Sequence, residues 1–253
     1  GGVMVKAVRG GGGRGIRRAF DQAELVTAYE RCRSEARAAF GDDDVYVEEV
    51  VPDARHIEVQ VIGDRAGALA QLGERECSIQ RRHQKIMEIA PSPSLSAVTR
   101  DAIVAAALTM AGEGGCIGLS TFEFLVPDAA TERFLYMETN PRLQVEHTVT
   151  EQITGVDLVR SQILIAQDFH LHDEQIAIPA QDEIPRMGFA VQARVTTEDP
   201  EQGFAPDYGK ILAYRSAAGL GIRLDGAQGT NGAVITPFYD SLLLKVTASA
   251  PTF

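Results

Sequence analysis

The sequence predicts an α+β chain with antiparallel pairing, and three observations carry that reading. Apolar, β-branched runs are joined by short polar turns, as in residues 56–61 with 66–74 and 122–126 with 134–138, which is the hairpin pattern. Apolar residues at helical intervals are confined to a few stretches, chiefly 21–40, 96–112 and 149–166. The 253 residues, 45% hydrophobic and 23% charged, hold enough apolar material for one large or two modest domains.

Taken in order, Val3 to Val8 reads as a strand leading into Arg9-Gly10-Gly11-Gly12-Gly13-Arg14-Gly15. A glycine run lets backbone N–H groups approach an anion closely. No G-K-[ST] follows, so it is not a Walker A loop. Lys6 stands on the preceding strand, where it could reach a phosphate held by the loop. Asp21 to Phe40 is helical, Gly41 to Asp44 a turn, and Val45 to Val51 a strand closed by Pro52-Asp53. His56 to Val61 and Ala66 to Glu74 form a hairpin about Gly63-Asp64. The basic stretch Gln80-Arg81-Arg82-His83-Gln84-Lys85 is expected on a loop. Ser96 to Gly112 is an alanine-rich helix. Phe122 to Val126 and Phe134 to Glu138 are strands, Val149 to Ala166 one helix, and Gly188 to Thr196 and Lys210 to Arg215 strands of a further β-rich region.

Composition excludes several classes. The net charge is −11, which disfavours nucleic acid, yet Lys6, Arg9, Arg14, Arg17 and Arg18 cluster, as do Arg81 to Lys85. Local basic knots on an acidic chain suit a small anionic ligand. No apolar run is long enough to cross a bilayer and no signal peptide is visible. Cys32, Cys77 and Cys116 form no C-x-x-C pair, against a disulfide framework or a thiolate zinc site. The chain opens on a strand-like run and stops soon after another, Leu242 to Val246, which reads as a fragment.

The central stretch is Glu138-Thr139-Asn140-Pro141-Arg142-Leu143-Gln144-Val145-Glu146-His147. If it is extended, Glu138, Asn140, Arg142, Gln144 and Glu146 share one face. Upstream, Glu123 is a lone carboxylate among strand-forming residues, expensive to bury unless a cation answers it. Antiparallel pairing would bring Glu123 to Glu138 with Asn140 beside them, a hard-oxygen set suited to Mg²⁺. The bland alternative is a solvated charged strand.

Together, Val5-Lys6-Ala7 before the glycine run, Gln80 to Lys85, Thr121-Phe122-Glu123-Phe124-Leu125 and Glu138 to His147 resemble the biotin carboxylase component of biotin-dependent carboxylases, in the ATP-grasp superfamily. Thr196 to Pro200, Tyr214 to Gly226 and Phe238 to Leu243 look most like the pyruvate carboxylase branch. The resemblance implies an ATP-grasp fold, two α+β lobes around an antiparallel sheet, followed by a truncated β-rich C-terminal subdomain. The implied boundaries are 1–50 for the N-terminally truncated lid lobe, 51–183 for the main lobe and 184–253 for the subdomain.

It also implies the chemistry. ATP would lie between the lobes, its phosphates held by Lys6, Gly10, Gly11, Gly12, Gly13, Gly15, His56 and His83, its adenine by Glu48, Val51 and Leu125, with Gln80 also among the cofactor-binding residues. Glu123, Glu138 and Asn140 would bind Mg²⁺ or Mn²⁺. Glu146 would deprotonate bicarbonate, placed by Lys85, Arg142, Gln144 and the Val145 backbone, and Arg142 would stabilise the biotin enolate. Arg194 would hold phosphate or carboxyphosphate. Biotin would arrive on a separate carrier domain, and a carboxyltransferase domain would use the product. A homo-oligomer in the cytoplasm, or the mitochondrial matrix of a eukaryote, is expected, with no nucleic acid or membrane partner.

Overall fold

The computed structural model describes residues 1–10, 15–128, 132–226, 229–238 and 241–253. The chain divides into two compact units, Gly1–Asp53 and Ala54–Phe253.

In the first unit, strands β1 (Val3–Ala7), β2 (Ile16–Ala19) and β3 (Val45–Glu49) form an antiparallel sheet in the order β2-β1-β3. Helix α1 (Gln22–Phe40) covers it, burying Ala28 and Cys32 against Val5 and Ala19. Its ends follow from local chemistry. Asp21 accepts the Glu24 N–H at the N-cap, and Gly41, at φ 73°, closes the C-terminus by donating to Arg37 O.

The second unit is organised by an eight-stranded antiparallel sheet. Its strands include β4 (Arg55–Gly63), β5 (Leu69–Arg81), β6 (Gln84–Ala90), β7 (Gly118–Asp128), β8 (Arg133–Asn140) and β9 (Phe189–Thr196). Short pairs follow, β10 (Glu198–Asp199) with β11 (Ala205–Pro206) and β12 (Gly209–Lys210) with β14 (Val234–Ile235). With β13 (Ile222–Gly226) and β15 (Leu242–Ala250), the large sheet runs β13-β15-β9-β6-β5-β4-β7-β8. It therefore spans the 183/184 division expected from the sequence.

Period-2 alternation decides what each face carries. Ile57, Val59 and Val61 of β4, with Phe122, Phe124 and Val126 of β7, pack against Ile103, Ala107 and Ala111 of α2 (Ala97–Glu113). Each fully buried Ile, Val or Phe among them stabilises the fold by roughly 1.5–3 kcal/mol. The intervening residues, His56, Glu58 and Gln60 on β4 and Thr121 and Glu123 on β7, occupy the other face.

Three local expectations fail. The single helix at 149–166 is two, α3 (His147–Thr154) and α4 (Leu158–Ala166). Gly155, at φ 72°, caps the first through Glu151 O, and Asp157 caps the second by accepting from Arg160 N. Helical periodicity runs straight through such punctuation, which is why the break was invisible to it. Lys210 to Arg215 is not a strand, since β12 ends at Lys210. Residues 80–85 are no open loop: β5 and β6 continue to a two-residue turn in which Arg82 and His83 take φ of 51° and 65°. Such turns usually signal themselves with Asn-Gly or Asp-Gly, and here they do not.

Buried Asp64 ties the β4–β5 turn to the segment after α4. One oxygen accepts the N–H groups of Ala66 and Ala68, the other that of Leu171 at 3.0 Å. Burial pushes its carboxyl up, but those three donors outweigh burial and hold it below the ordinary aspartate value. Asp64→Ala strands buried donors and should cost about 3 kcal/mol in urea unfolding at pH 7. A depressed folded pKa contributes above the unfolded value, about 3.9, and fades as pH falls through the folded one. The gap between variant and wild type should accordingly narrow in acid.

Candidate active site

Antiparallel register aligns carboxylates across neighbouring strands. Arg75 lies opposite Glu58, Glu58 opposite Glu123, and Glu123 opposite Glu138, across β5, β4, β7 and β8. Like charges directly opposite repel, so the face needs cations. Lys85 Nζ, from β6, donates to Glu58 Oε2 at 2.6 Å, Glu146 Oε1 at 2.6 Å and Glu123 Oε1 at 3.1 Å. Arg75, wholly buried, donates to Glu58 Oε1 at 2.5 Å and to Gln60 Oε1 and Thr150 Oγ1 at 2.9 Å. Burial opposes the Lys85 charge, but Glu58, Cys77, Glu146 and Glu123 more than offset it and raise its pKa.

Glu123 is the most heavily solvated by protein. Its Oε1 also accepts from Asn140 Nδ2 at 3.0 Å and Gln144 Nε2 at 2.9 Å, and its Oε2 meets His56 Nε2 at 2.5 Å. Gln80 Nε2 contacts His56 Nδ1 at 2.8 Å, leaving Nε2 as the donor to Glu123. Burial raises the Glu123 pKa, but the His56 bond and the Lys85 charge overcome it, and the carboxyl titrates at about 2.

Glu138 is exposed and accepts from Asn140 Nδ2 at 3.0 Å, so the amide sits between the Glu123 and Glu138 carboxylates. His56, Glu58 and Glu123 also bring ligand-type atoms within 4.8 Å of one another. Lys85 already neutralises that inner group, so the hard-oxygen set that fits Mg²⁺ is the outer one, Glu123, Glu138 and Asn140.

The expectation of one extended ribbon from Glu138 to Glu146 is not met. Strand β8 ends at Asn140, because Pro141 offers no N–H to continue the ladder. Arg142 N–H turns back to Asn140 O at 2.9 Å, and the chain enters α3 at Glu146. The side chains converge nonetheless. Arg142 Nη2 donates to Asn140 Oδ1 at 3.0 Å, Gln144 reaches Glu123, and Glu146 lies between Lys85 and Arg194, whose Nη2 is 3.1 Å from Glu146 Oε2. Arg194 Nε also holds Glu88, whose carboxyl burial pushes up against the arginine's pull.

The remaining sequence candidates lie elsewhere. His83 is exposed in the β5–β6 turn, and Leu125 is half-buried on β7 opposite His56. In the first unit, Lys6 pairs with Glu48. Gly10 N–H bonds Ala7 O, and Gly15, at φ 69°, lies so close to Ala7 that a Cβ there would meet its methyl at 2.9 Å. Val51 follows β3, while Gly11, Gly12 and Gly13 fall outside the described residues. Sequence reasoning missed Glu58, Arg75, Glu88 and Lys245. Glu58 carried the same signal as Glu123, a carboxylate alternating with Ile57 and Val59, and could have been found.

Removing Arg75 leaves Glu58 buried beside a shared lysine. Arg75→Met should cost about 3–5 kcal/mol in denaturant unfolding at neutral pH. Burial raises the Glu58 pKa, but Arg75 and Lys85 bring it below the usual value. Its contribution is thus full above the unfolded value, about 4.3, and lost as pH falls through the folded one. The variant's deficit should shrink as pH falls below about 4.3; a deficit that keeps its neutral-pH size well below that value would contradict the assignment.

Residues 2–174 match the family described as carbamoyl-phosphate synthase L chain, ATP binding domain, and residues 192–253 match the biotin carboxylase C-terminal domain. The chain is 54% identical over 251 residues to pyruvate carboxylase of Bacillus subtilis (strain 168), covering 99% of this chain and 22% of that protein. It superposes on Rhizobium etli pyruvate carboxylase, solved with the allosteric activator acetyl coenzyme-A, at a TM-score of 0.94 and 51% identity, over 99% of this chain and 22% of that one. The biotin carboxylase domain dimer of Hydrogenobacter thermophilus 2-oxoglutarate carboxylase, in complex with MgADP, ADP and bicarbonate, gives a TM-score of 0.90 at 43% identity, over 99% of this chain and 53% of that one. The chain thus spans about a fifth of the length of the curated relatives it matches.

Proposed function

This chain belongs to the biotin carboxylase domains of the pyruvate carboxylase family, and from that premise we propose that it carboxylates biotin using ATP and bicarbonate. The observation that supports this best is Glu146, a carboxylate held between Lys85 and Arg194 one short loop away from the Glu123–Asn140–Glu138 set.

In this reading, Glu146 removes the bicarbonate hydroxyl proton. Lys85, Gln144, Arg142 and the Val145 backbone orient the anion, and the freed oxygen attacks the γ-phosphorus as ADP departs. Glu123, Glu138 and Asn140 would hold Mg²⁺, which neutralises phosphate charge when bound. The carboxyphosphate so formed splits to CO₂ and phosphate. Phosphate takes the biotin ureido proton, Arg142 stabilises the enolate, and the ureido nitrogen bonds CO₂. Arg194 holds the phosphate. His56, Gln80, His83, Leu125, Lys6, Glu48, Val51 and the glycine segment serve the nucleotide.

The further reading is that pyruvate is the final acceptor, through carrier and carboxyltransferase domains on the same polypeptide. Related carboxylases acting on acetyl-CoA, propionyl-CoA or urea share this half-reaction, and the sequence likeness to pyruvate carboxylases favours pyruvate among them. Homo-oligomerisation and a cytoplasmic or mitochondrial-matrix location belong to the same proposal. A carbamoyl phosphate synthase-type ligase is disfavoured by the match of residues 192–253 to the biotin carboxylase C-terminal domain.

The test is phosphate release from ATP with and without bicarbonate and free biotin. Glu146→Gln should lower the bicarbonate-dependent rate by about 10²- to 10⁴-fold while nucleotide affinity holds. Unchanged turnover in that variant, or a rate indifferent to bicarbonate, would remove the basis for the proposal.

A further inference from the structure

Helix α3 starts on a residue that does not cap it. Glu146 occupies the N-cap position, yet its side chain makes no bond to the first turn; the carboxylate goes to Lys85 and Arg194 instead. The first backbone bonds are long, His147 N–H to Gln144 O at 3.3 Å and Val149 N–H to Glu146 O at 3.4 Å. A helix end deprived of its cap needs another tether.

Lys245 supplies one. From β15 its Nζ donates to Val145 O at 2.9 Å, with the side chain buried. Three consecutive strands of the sheet, β15, β9 and β6, therefore each send one cation to this loop: Lys245 to the backbone, Arg194 and Lys85 to the Glu146 carboxylate. Lys85 and Arg194 have carboxylate partners, whereas Lys245 forms no ion pair among the described residues. In the ladder it lies opposite Arg194 on one side, a like-charge pairing that costs stability, and opposite Asp225 on the other, whose carboxylate is paired with Arg223. Burial pushes its ammonium below the usual lysine value. A buried cation set between Arg194 and an Asp225 already engaged by Arg223, and hydrogen-bonded to a neutral carbonyl, is poor structural economy, which points to a role in the reaction.

Resting on the biotin carboxylase reading, we propose that Lys245 is a positioning residue for the general base. By holding the Val145 carbonyl it fixes the 145–146 peptide plane, and with it the direction in which Glu146 presents its carboxylate to bicarbonate. A small rotation of that plane would leave nucleotide contacts intact and spoil proton removal.

The experiment uses the intact protein expressed from its full reading frame, with Lys245→Met and Lys245→Arg. Two reactions are compared: bicarbonate-dependent ATP cleavage, and ATP formation from ADP and carbamoyl phosphate. In the second, the phosphoryl group passes to ADP and carbamate leaves, so no bicarbonate proton is removed. K245M should lose about 10²-fold in the first, as expected for a misplaced catalytic group. ATP formation and the KM for ATP should stay within about threefold, and K245R should recover most of the lost rate. Hydrogen exchange in K245M should rise over residues 143–149 and stay unchanged in β4 and β7. Equal losses in both reactions, no loss in the first, no recovery in K245R, or unaltered exchange at 143–149 would each overturn the inference. A wild-type protein with no bicarbonate-dependent cleavage would instead defeat the functional reading, and this inference with it.

Discussion

One ammonium group makes the rest of the site possible. Antiparallel register forces Glu58, Glu123 and Glu138 into a row, and α3 adds Glu146 from above. Four carboxylates on one sheet face would repel one another and take up protons. Lys85 contacts three of them, and Arg75 takes the far side of Glu58. Glu123 shows the balance: despite burial, the His56 bond, together with the Lys85 charge, holds its carboxyl well below the usual glutamate value. Charge that is already formed and oriented costs nothing to organise when an anion or cation arrives, which is the physical content of preorganisation.

The strands that carry these groups also build the core. On β4 and β7 one set of alternate residues packs against α2 while the other set forms the polar row. A slip of one residue in register would turn the carboxylates toward α2 and put Ile57, Val59 and Phe122 on the polar face, so folding and site assembly are enforced by the same pairing. This places most of the site on a rigid element. The loop at 141–146 is the exception, and it is tied down residue by residue by Asn140, Lys245, Lys85 and Arg194.

That contrast explains what could be read from the residues alone. Strand alternation located Glu123 opposite Glu138 correctly, because period 2 and antiparallel pairing leave one answer. The same rule, extended past Pro141, wrongly kept Arg142 to Glu146 on a strand; these side chains converge through a turn it did not foresee. The hairpin tip at Arg82-His83 was missed since both residues adopt left-handed backbone without glycine or asparagine, a strain of about 1–3 kcal/mol per residue that only tertiary structure sustains. Lys245 was unreadable for a different reason. It lies 100 residues from its carbonyl partner, and no local pattern encodes a contact made through sheet order.

The two family-matched stretches contribute different charges to the second unit. The stretch matching the ATP-binding family, residues 2–174, supplies Glu58, Glu123, Glu138 and Glu146 together with Lys85. The stretch matching the biotin carboxylase C-terminal domain, residues 192–253, supplies Arg194 and Lys245. They meet where β6 pairs with β9, Met87 opposite Ala193 and Glu88 opposite Gln192. The buried bond from Gln192 Nε2 to Glu88 Oε2, at 2.7 Å, crosses that seam, and Arg194 reaches Glu88 beside it. An ATP-binding unit ending near residue 174 would keep its carboxylates and lose two of the three cations around the 145–146 peptide. The seam therefore adds two cations to a sheet face already lined with carboxylates, and the restraint on the 145–146 peptide is built by pairing the two segments in a single sheet.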